Sequence, residues 1–424
     1  MKLFNTLSNS VDDISFGDQV RFYTCGITPY DTTHLGHAFT YFISDILIRY
    51  LESQGKEVTY VQNVTDIDDD ILKKAGEEGE DWRVLGNRWT RHFINDMESL
   101  NMRPPDYFPR ATDVIPEIIS EVQNLLDCGV AYEGAGNVYF NIDSWAEFGK
   151  LTGLDRHEML PIANERGNYP DDPNKRDPLD FVLWQAQSPG EPAWESPWGP
   201  GRPGWHIECS TMATHLMGET IDIHSGGKDL AFPHHECEIA QVEPISGRQP
   251  YVRQWLHVAM VRHEGEKMSK SLGNLVMISD LLQDNSADTI RLYLAMHHYR
   301  DPWSYNWFEL FKAERLDRDI KLALAAEEFP GEPTDPTPFR KKFQKAMEDD
   351  LDTPGSLQVV QDLASKIISD SQAQRNVGLA QDLLREFGDV LGLQMDRPGP
   401  SEDVRNGWNR YRENFTELIE QSSG

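Results

Sequence analysis

Two short runs carry the residue types from which phosphate chemistry is built. His34-Leu35-Gly36-His37 lies near the start of the chain, and Lys267-Met268-Ser269-Lys270-Ser271 lies far downstream. The first run is weak by itself, because paired histidines often cap a helix or pack in a core. The second is stronger: two lysines and two serines, set between Glu264-Gly265-Glu266 and Leu272-Gly273-Asn274, read as a mobile phosphate-binding loop. Each lysine offers a hydrated point charge to a polyphosphate, and each serine a short hydrogen-bond donor. A solvated basic loop is the bland alternative, and the occurrence of both runs in this order argues against it.

A second constellation combines Gly204-Trp205-His206-Ile207-Glu208-Cys209 with Phe232-Pro233-His234-His235-Glu236-Cys237-Glu238. Proline just before the histidines suits a helix start. On such a helix His234 and Glu238 are four apart and share a face. With Cys25 and Cys209, each expected at a turn, these residues can assemble a tetrahedral zinc site of two sulfurs, one nitrogen and one oxygen. Cys237, three residues from His234, is a rival for the fourth position. Cys128, in Leu125-Leu126-Asp127-Cys128-Gly129, reads as a core thiol near a helix end, since buried cysteines mostly do no chemistry.

The elements that must hold these groups follow from hydrophobic pattern. Val20–Gly26 reads as a buried strand ending in a turn, Phe42–Leu51 is apolar at helical spacing, and Glu57–Val64 reads as the next strand. Strand, helix, strand at this length is a βαβ unit, which favours a parallel sheet with ligands at the strand C-termini. The His34–His37 run then falls where the first helix begins, a position that favours phosphate. Residues 85–130 read as helical, and 167–204, rich in Pro, Gly, Trp and Asp, as an irregular insertion. Sheet-like segments resume at 220–224 and 254–261. The run Asp66-Ile67-Asp68-Asp69-Asp70 fits a capped turn before a helix at least as well as a metal site. A loop at 329–336 marks a boundary, a small helix bundle is expected over 339–393, and the polar tail from 397 has room for one helix.

The 424 residues are enough for two or three domains and a sizeable core. The net charge of −30 is the unusual property. A protein that binds through phosphate neutralisation normally carries a basic stripe, and none is visible. Four scattered cysteines do not make a disulfide scaffold. With neither a signal-peptide-like apolar run nor a membrane-length one, a cytoplasmic chain that meets no membrane is expected.

Together these residues resemble the cysteine-activating class I synthetases over nearly the whole chain. That family has two branches, the cysteinyl-tRNA synthetases and the ligases that join cysteine to glucosaminyl-inositol in mycothiol synthesis. Cys25-Gly26-Ile27-Thr28-Pro29-Tyr30-Asp31 followed by Thr33 to Ala38 is similar to the ligase branch. So are Asp81 to Gly86, Pro104-Pro105 through Asp113, and Ser188 to Pro192 running on to Gly201–Trp205. The small helical domain also stops without the anticodon-binding module of the tRNA branch. From 331 to 424 there are 11 Lys and Arg against 17 Asp and Glu, which makes no obvious RNA platform. Other positions depart from the ligase pattern. Glu165-Arg166-Gly167-Asn168-Tyr169-Pro170 matches the ligase segment in part, Lys228 replaces a serine common to both branches, and Glu238 restores the fourth zinc ligand of the tRNA enzymes.

The resemblance implies an α/β fold: a class I Rossmann-type parallel sheet with an inserted connective region, then a C-terminal all-α bundle. Its expected divisions are 1–110 and 201–262 for the two catalytic halves and 111–200 for the insertion. The lysine loop with a stem-contact-like region would take 263–328, and the helical domain 329–424. It also implies that cysteine attacks ATP to give cysteinyl adenylate, which an amine or a tRNA ribose hydroxyl then intercepts. His34, His37, Lys267 and Lys270 would stabilise the charge developed in the first step. Gly26, Ile27, Thr28, Thr40, Asn63, Val64, Thr65, Gly227, Lys228, Asp229 and Val261 match positions that hold the adenylate, although strand-end hydrogen bonding would equally explain Asn63 and Thr65. Cys25, Cys209, His234 and Glu238 would hold one Zn²⁺, Trp205 would line the cysteine pocket, and Mg²⁺ would accompany ATP. The expected partners are L-cysteine, ATP and an amino-sugar acceptor, glucosaminyl-inositol, favoured over tRNA, acting on a monomer. A zinc-bearing binding protein that has lost catalysis is the reading from another class, and the two intact phosphate runs argue against it.

Overall fold

The computed structural model describes residues 1–30, 33–268 and 272–415. In β1 (Gln19–Ile27) the four residues from Phe22 to Cys25 are buried, and in β2 (Glu57–Val64) the five from Tyr60 to Val64 are. Runs buried on both faces belong to parallel strands covered by helices on each side. One cover is α1 (Leu35–Ser53), which crosses over between them. After an insertion the chain returns through β3 (Ile221–Gly227) and β4 (Val252–Val258). The sheet order is β4-β3-β1-β2, all parallel. Strand order reverses between β1 and β3, so a crevice opens at their C-terminal ends. Cys25 and Gly227 stand at that opening.

Two expectations about the intervening chain are corrected. The helical reading of 85–130 is interrupted: one helix covers Trp82–Ser99 and another Ile115–Asp127. Between them Pro104 and Pro105 lack the N–H a helix needs, and the segment lies along β2, bridging Val61 to Tyr107 and Val64 to Arg110. The stretch 167–204 contains two strands, Phe181–Ala186 and Gly201–Pro203. They complete a four-stranded antiparallel sheet with Ala131–Gly134 and Asn137–Phe140. Its aromatic residues build a core: Phe181 stacks on Phe140 at 4.8 Å, and Trp184 is fully buried. The acidic run is a capped turn as expected, with Asp68 accepting from the Asp70 N–H at the start of α2 (Asp69–Glu78).

Two further helices floor the crevice, α3 (Trp205–Met217) and α4 (Glu236–Ser246). An N-terminal hairpin, Lys2–Asn5 with Ser10–Asp13, docks on β4, where the Thr6 N–H donates to the Trp255 carbonyl at 3.2 Å. Beyond the loop at 329–336, helices span Thr337–Glu348, Thr353–Gln372, Gly378–Val390 and Glu402–Asn414. These helices share one apolar core with α1, since Phe42 and Leu47 belong to the same buried cluster as Leu363, Leu384 and Trp408. Arg291, fully buried, clamps that junction: it pairs with Asp45 and donates to the carbonyls of Leu391 at 2.7 Å and Leu100 at 3.0 Å. No described helix is long and apolar enough to cross a membrane.

Candidate active site

At the end of β1 the register against β2 shifts between Thr24 and Ile27. A bulge of this kind re-aims side chains, and here it lifts Cys25 out of the ladder. Gly26 is required for it: a Cβ there would fall 1.6 Å from the Asn63 carbonyl oxygen. The Gly26 N–H donates to Asn63 Oδ1 at 2.8 Å, and Asn63 Nδ2 donates to Thr65 Oγ1 at 3.2 Å. Strand-end bonding thus describes Asn63 and Thr65, and both also line the crevice.

Cys25 Sγ stands 3.9 Å from Cys209 Sγ and 3.7 Å from Glu238 Oε1, while His234 Nε2 is 3.1 Å from the same oxygen. Cys25, His234, His235 and Glu238 bring ligand atoms within 4.8 Å of one another, all buried. Donors held about 2.0–2.3 Å from one tetrahedral ion lie roughly 3.3–3.8 Å apart, so the cluster fits a zinc-sized cation with little movement. Burial pushes the Cys25 thiol well above its usual range and the His234 imidazole well below. A cation is what would ionise such a sulfur.

Several placements differ from expectation. Cys25 lies in a strand bulge and Cys209 inside α3, rather than both at turns. The helix start expected at Pro233 is a widened turn over Ala231–His235, and α4 begins at Glu236. His234 and Glu238 still meet. Cys237 packs with Ile207 and Ala240 in an apolar cluster, one helix position away from the ligand group. Cys128 is exposed, because it caps the Ile115–Asp127 helix where the chain reverses.

Histidines to which the sequence assigned no role converge here, His235 within the cluster and His206, His224 and His257 around it. His224 Nε2 is 3.0 Å from Glu238 Oε2, His206 Nδ1 is 2.9 Å from His234 Nδ1, and His235 Nδ1 is 2.8 Å from His257 Nε2. Trp205 stacks on His234 at 4.3 Å. The available signal was position: His224 and His257 sit on the strands whose ends form the crevice.

His34 caps α1, its Nδ1 accepting from the Gly36 N–H at 3.1 Å, and its ring stacks on His37 at 3.9 Å. The Leu35 N–H donates to the Val276 carbonyl and the Ile278 N–H to the Thr33 carbonyl. The chain leaving the lysine loop is therefore tied to the start of α1. Lys267 lies on a short strand paired with Val261–His263. Lys270 falls outside the described residues.

The crevice holds about 1010 Å³. Cys25, Gly26, Ile27 and Thr28 line it from β1, and His34, His37 and Thr40 from α1. Trp205, Cys209, Gly227, Asp229, Val261 and Lys267 also line it. Val64 and Lys228 are absent from the lining: Val64 is fully buried in the apolar core, and exposed Lys228 opens a 3-10 turn. The far wall comes from α2 and the insertion: Asp68, Asp69 and Asp70 of the acidic run, Glu165 and Arg166 of the segment matched in part to the ligases, and Lys73, Asp172, Lys175 and Arg202. Arg166 reaches Asp229 at 3.1 Å, and Arg202 pairs with Asp69. Burial raises the Asp68 carboxyl to about 6.

A parallel sheet with its switch point at Cys25, a histidine pair on a helix N-terminus and a lysine loop tied beside it define a class I synthetase. The sequence family described as tRNA synthetases class I (C) catalytic domain matches residues 13–315, and the DALR domain matches 342–396. A cysteine–tRNA ligase of Alkalilimnicola ehrlichii is 46% identical over 89% of this chain and 82% of its own length. The L-cysteine:1D-myo-inositol 2-amino-2-deoxy-alpha-D-glucopyranoside ligase of Thermomonospora curvata is 42% identical over 87% and 88%. The chain belongs to the cysteine–tRNA ligase family of class I synthetases and is an ATP-dependent cysteine ligase. Its fold is shared with Mycobacterium tuberculosis methionyl-tRNA synthetase in complex with methionyl-adenylate, at a TM-score of 0.64 and 16% identity over 95% of this chain and 94% of that one.

Proposed function

We propose that this ligase activates cysteine at a zinc-bearing crevice and passes it to the amine of an amino sugar, glucosaminyl-inositol, rather than to tRNA. His34 and His37 at the N-terminus of α1, with Lys267 and Lys270, stabilise the negative charge that develops as pyrophosphate leaves. Gly26, Ile27, Thr28, Thr40, Asn63, Thr65, Gly227, Asp229 and Val261 surround the adenylate. Cys25, Cys209, His234 and Glu238 hold zinc, with Trp205 stacked against His234. A zinc ion so held binds the substrate sulfur far better than a hydroxyl, which separates cysteine from serine.

The far wall of the crevice carries the choice of acceptor. Five carboxylates, from Asp68, Asp69, Asp70, Glu165 and Asp172, face the space beyond the adenylate. Arg202 is committed to Asp69 and Arg166 to Asp229, leaving Lys73 and Lys175 as the other cations there. Such a wall attracts an ammonium group and repels a phosphate backbone. The amine must shed a proton before attack, and Asp68, raised to about 6 by burial, has the basicity to take it.

A second reading, charging of tRNA, is favoured by Glu238 in the ligand cluster. The experiment is a side-by-side competition. Cysteine-dependent ATP–pyrophosphate exchange is expected, with AMP release stimulated by glucosaminyl-inositol and not by tRNA. Charging of tRNA without stimulation by the amine overturns the proposal.

A further inference from the structure

The crevice lining contains one aromatic ring that the apolar core does not use. Among the described residues, Tyr169 is the only large hydrophobic or aromatic side chain that both lines the crevice and is exposed, at 66%.

An exposed ring is ordinary on a loose loop, but the backbone beneath this one is fixed from both sides. Asn168 acts as a staple: its Nδ2 donates to Asn164 Oδ1 at 2.7 Å and to the Pro178 carbonyl at 3.0 Å, and its Oδ1 accepts from Lys175. The Asn168 N–H donates to the Ala163 carbonyl at 3.1 Å. On the other side, Pro170 restricts Tyr169 to extended backbone. The Asp172 N–H donates to the Tyr169 carbonyl at 3.3 Å, closing a turn whose second position is Pro170, the place proline favours. Asp172 is tied in turn to the insertion sheet, where it accepts from the Tyr139 hydroxyl at 2.7 Å. Three residues before Tyr169, Arg166 reaches Asp229 of the catalytic half.

A tyrosine held in this way offers a large contact surface at small entropic cost, because only its two side-chain torsions remain to be fixed. Its ring covers apolar area on a ligand while its hydroxyl stays in water. The neighbours select the ligand. Asp70 and Glu165 line the same wall, and ionised carboxylates accept hydrogen bonds and donate none. A ring with C–H bonds on one face and hydroxyl donors around its edge, as in a pyranose or a cyclitol, satisfies both demands. A nucleobase also offers a flat face, but it brings phosphates that these carboxylates repel.

We propose that Tyr169 is the platform for the acceptor's sugar ring, a specificity-determining contact that holds the polyol while its amine reaches the activated cysteine. The inference deepens the amino-sugar reading above and rests on it. The contact serves the transfer step, so its removal shows in the KM for the acceptor rather than in that for cysteine.

The test measures AMP release by the full chain against the concentration of glucosaminyl-inositol. Losing roughly 50 Å² of apolar contact corresponds to about a 10-fold loss of affinity. Tyr169→Ala is therefore expected to raise the KM for the amine by about that factor, with the KM for cysteine within about 2-fold of wild type. Tyr169→Phe keeps the ring and restores the wild-type KM. The side chain is exposed, so neither change is expected to lower the thermal midpoint. A Tyr169→Ala enzyme with the wild-type KM for the amine, or a Tyr169→Phe enzyme as impaired as Tyr169→Ala, overturns the platform and leaves the amino-sugar reading standing. A wild type whose AMP release is not stimulated by the amine overturns that reading and the platform with it. A wild type that charges tRNA, with a KM for tRNA that rises in Tyr169→Ala, assigns the ring to a nucleobase and likewise overturns the proposal.

Discussion

Gly26 concentrates the site into one missing methyl group. Its Cα passes so near the Asn63 carbonyl that any side chain must push β1 and β2 apart. Gly26→Ala is expected to cost about 1–3 kcal/mol of stability, as overpacking does, and to depress cysteine-dependent pyrophosphate exchange more steeply by moving Cys25. Thermal melts and the exchange assay check this, and wild-type values in both would remove the bulge from the account. At this scale the sequence was informative where a residue's type is its chemistry. Cys25, His234 and Glu238, which the structure brings together, could be picked out because few other tasks need such a set. His224 and His257 could not, because a single histidine on a strand looks the same whether or not others converge on it.

Among the elements, the end of β2 is joined to the start of the insertion by Asp66, which accepts from the Thr112 hydroxyl at 2.6 Å and its N–H at 3.0 Å. Burial outweighs those bonds and raises the carboxyl to about 6 from 3.8. The folded value lies above the unfolded one, so the contribution is complete below about pH 3.8 and is lost as pH rises through about 6. Asp66→Asn keeps an acceptor for Thr112 and removes the titration. Relative to the wild type it should gain on the order of 2 kcal/mol between pH 4 and pH 7, read as urea midpoints across that range. Parallel midpoints for the two proteins would refute it. The parallel strands were readable from their apolar runs, and α1 from its period. The extended 100–110 segment and the insertion sheet were hidden, because both owe their shape to partners far along the chain rather than to local pattern.

For the whole molecule, Arg291 is the point at which the catalytic half and the C-terminal helices meet. Replacing it with alanine removes one of the two cations on the buried Asp45 carboxylate, leaving Arg49 and the Arg103 N–H, and frees two carbonyls. A loss of about 3–5 kcal/mol is expected, with metal affinity unchanged in the chain that remains folded. Chemical denaturation and chelator competition measure the two separately, and a loss below about 1 kcal/mol would show the junction to be held by apolar packing. Net charge of −30 told the sequence reader what the surface would repel. It could not say that carboxylates also gather inside, on the far wall of the crevice.

The N-terminal hairpin sets an order of assembly. The Phe4 N–H donates to Asp350 Oδ1 at 2.8 Å, and Lys2 bridges Asp349, while Thr6 meets His257 of β4 beside the candidate metal cluster. Lys2 and Phe4 therefore have partners more than three hundred positions further along the chain. Contacts so distant in sequence close slowly, so during synthesis the hairpin must stay unpaired until the helical region has emerged. The hairpin beside the cysteine site is then among the last parts of the fold to dock.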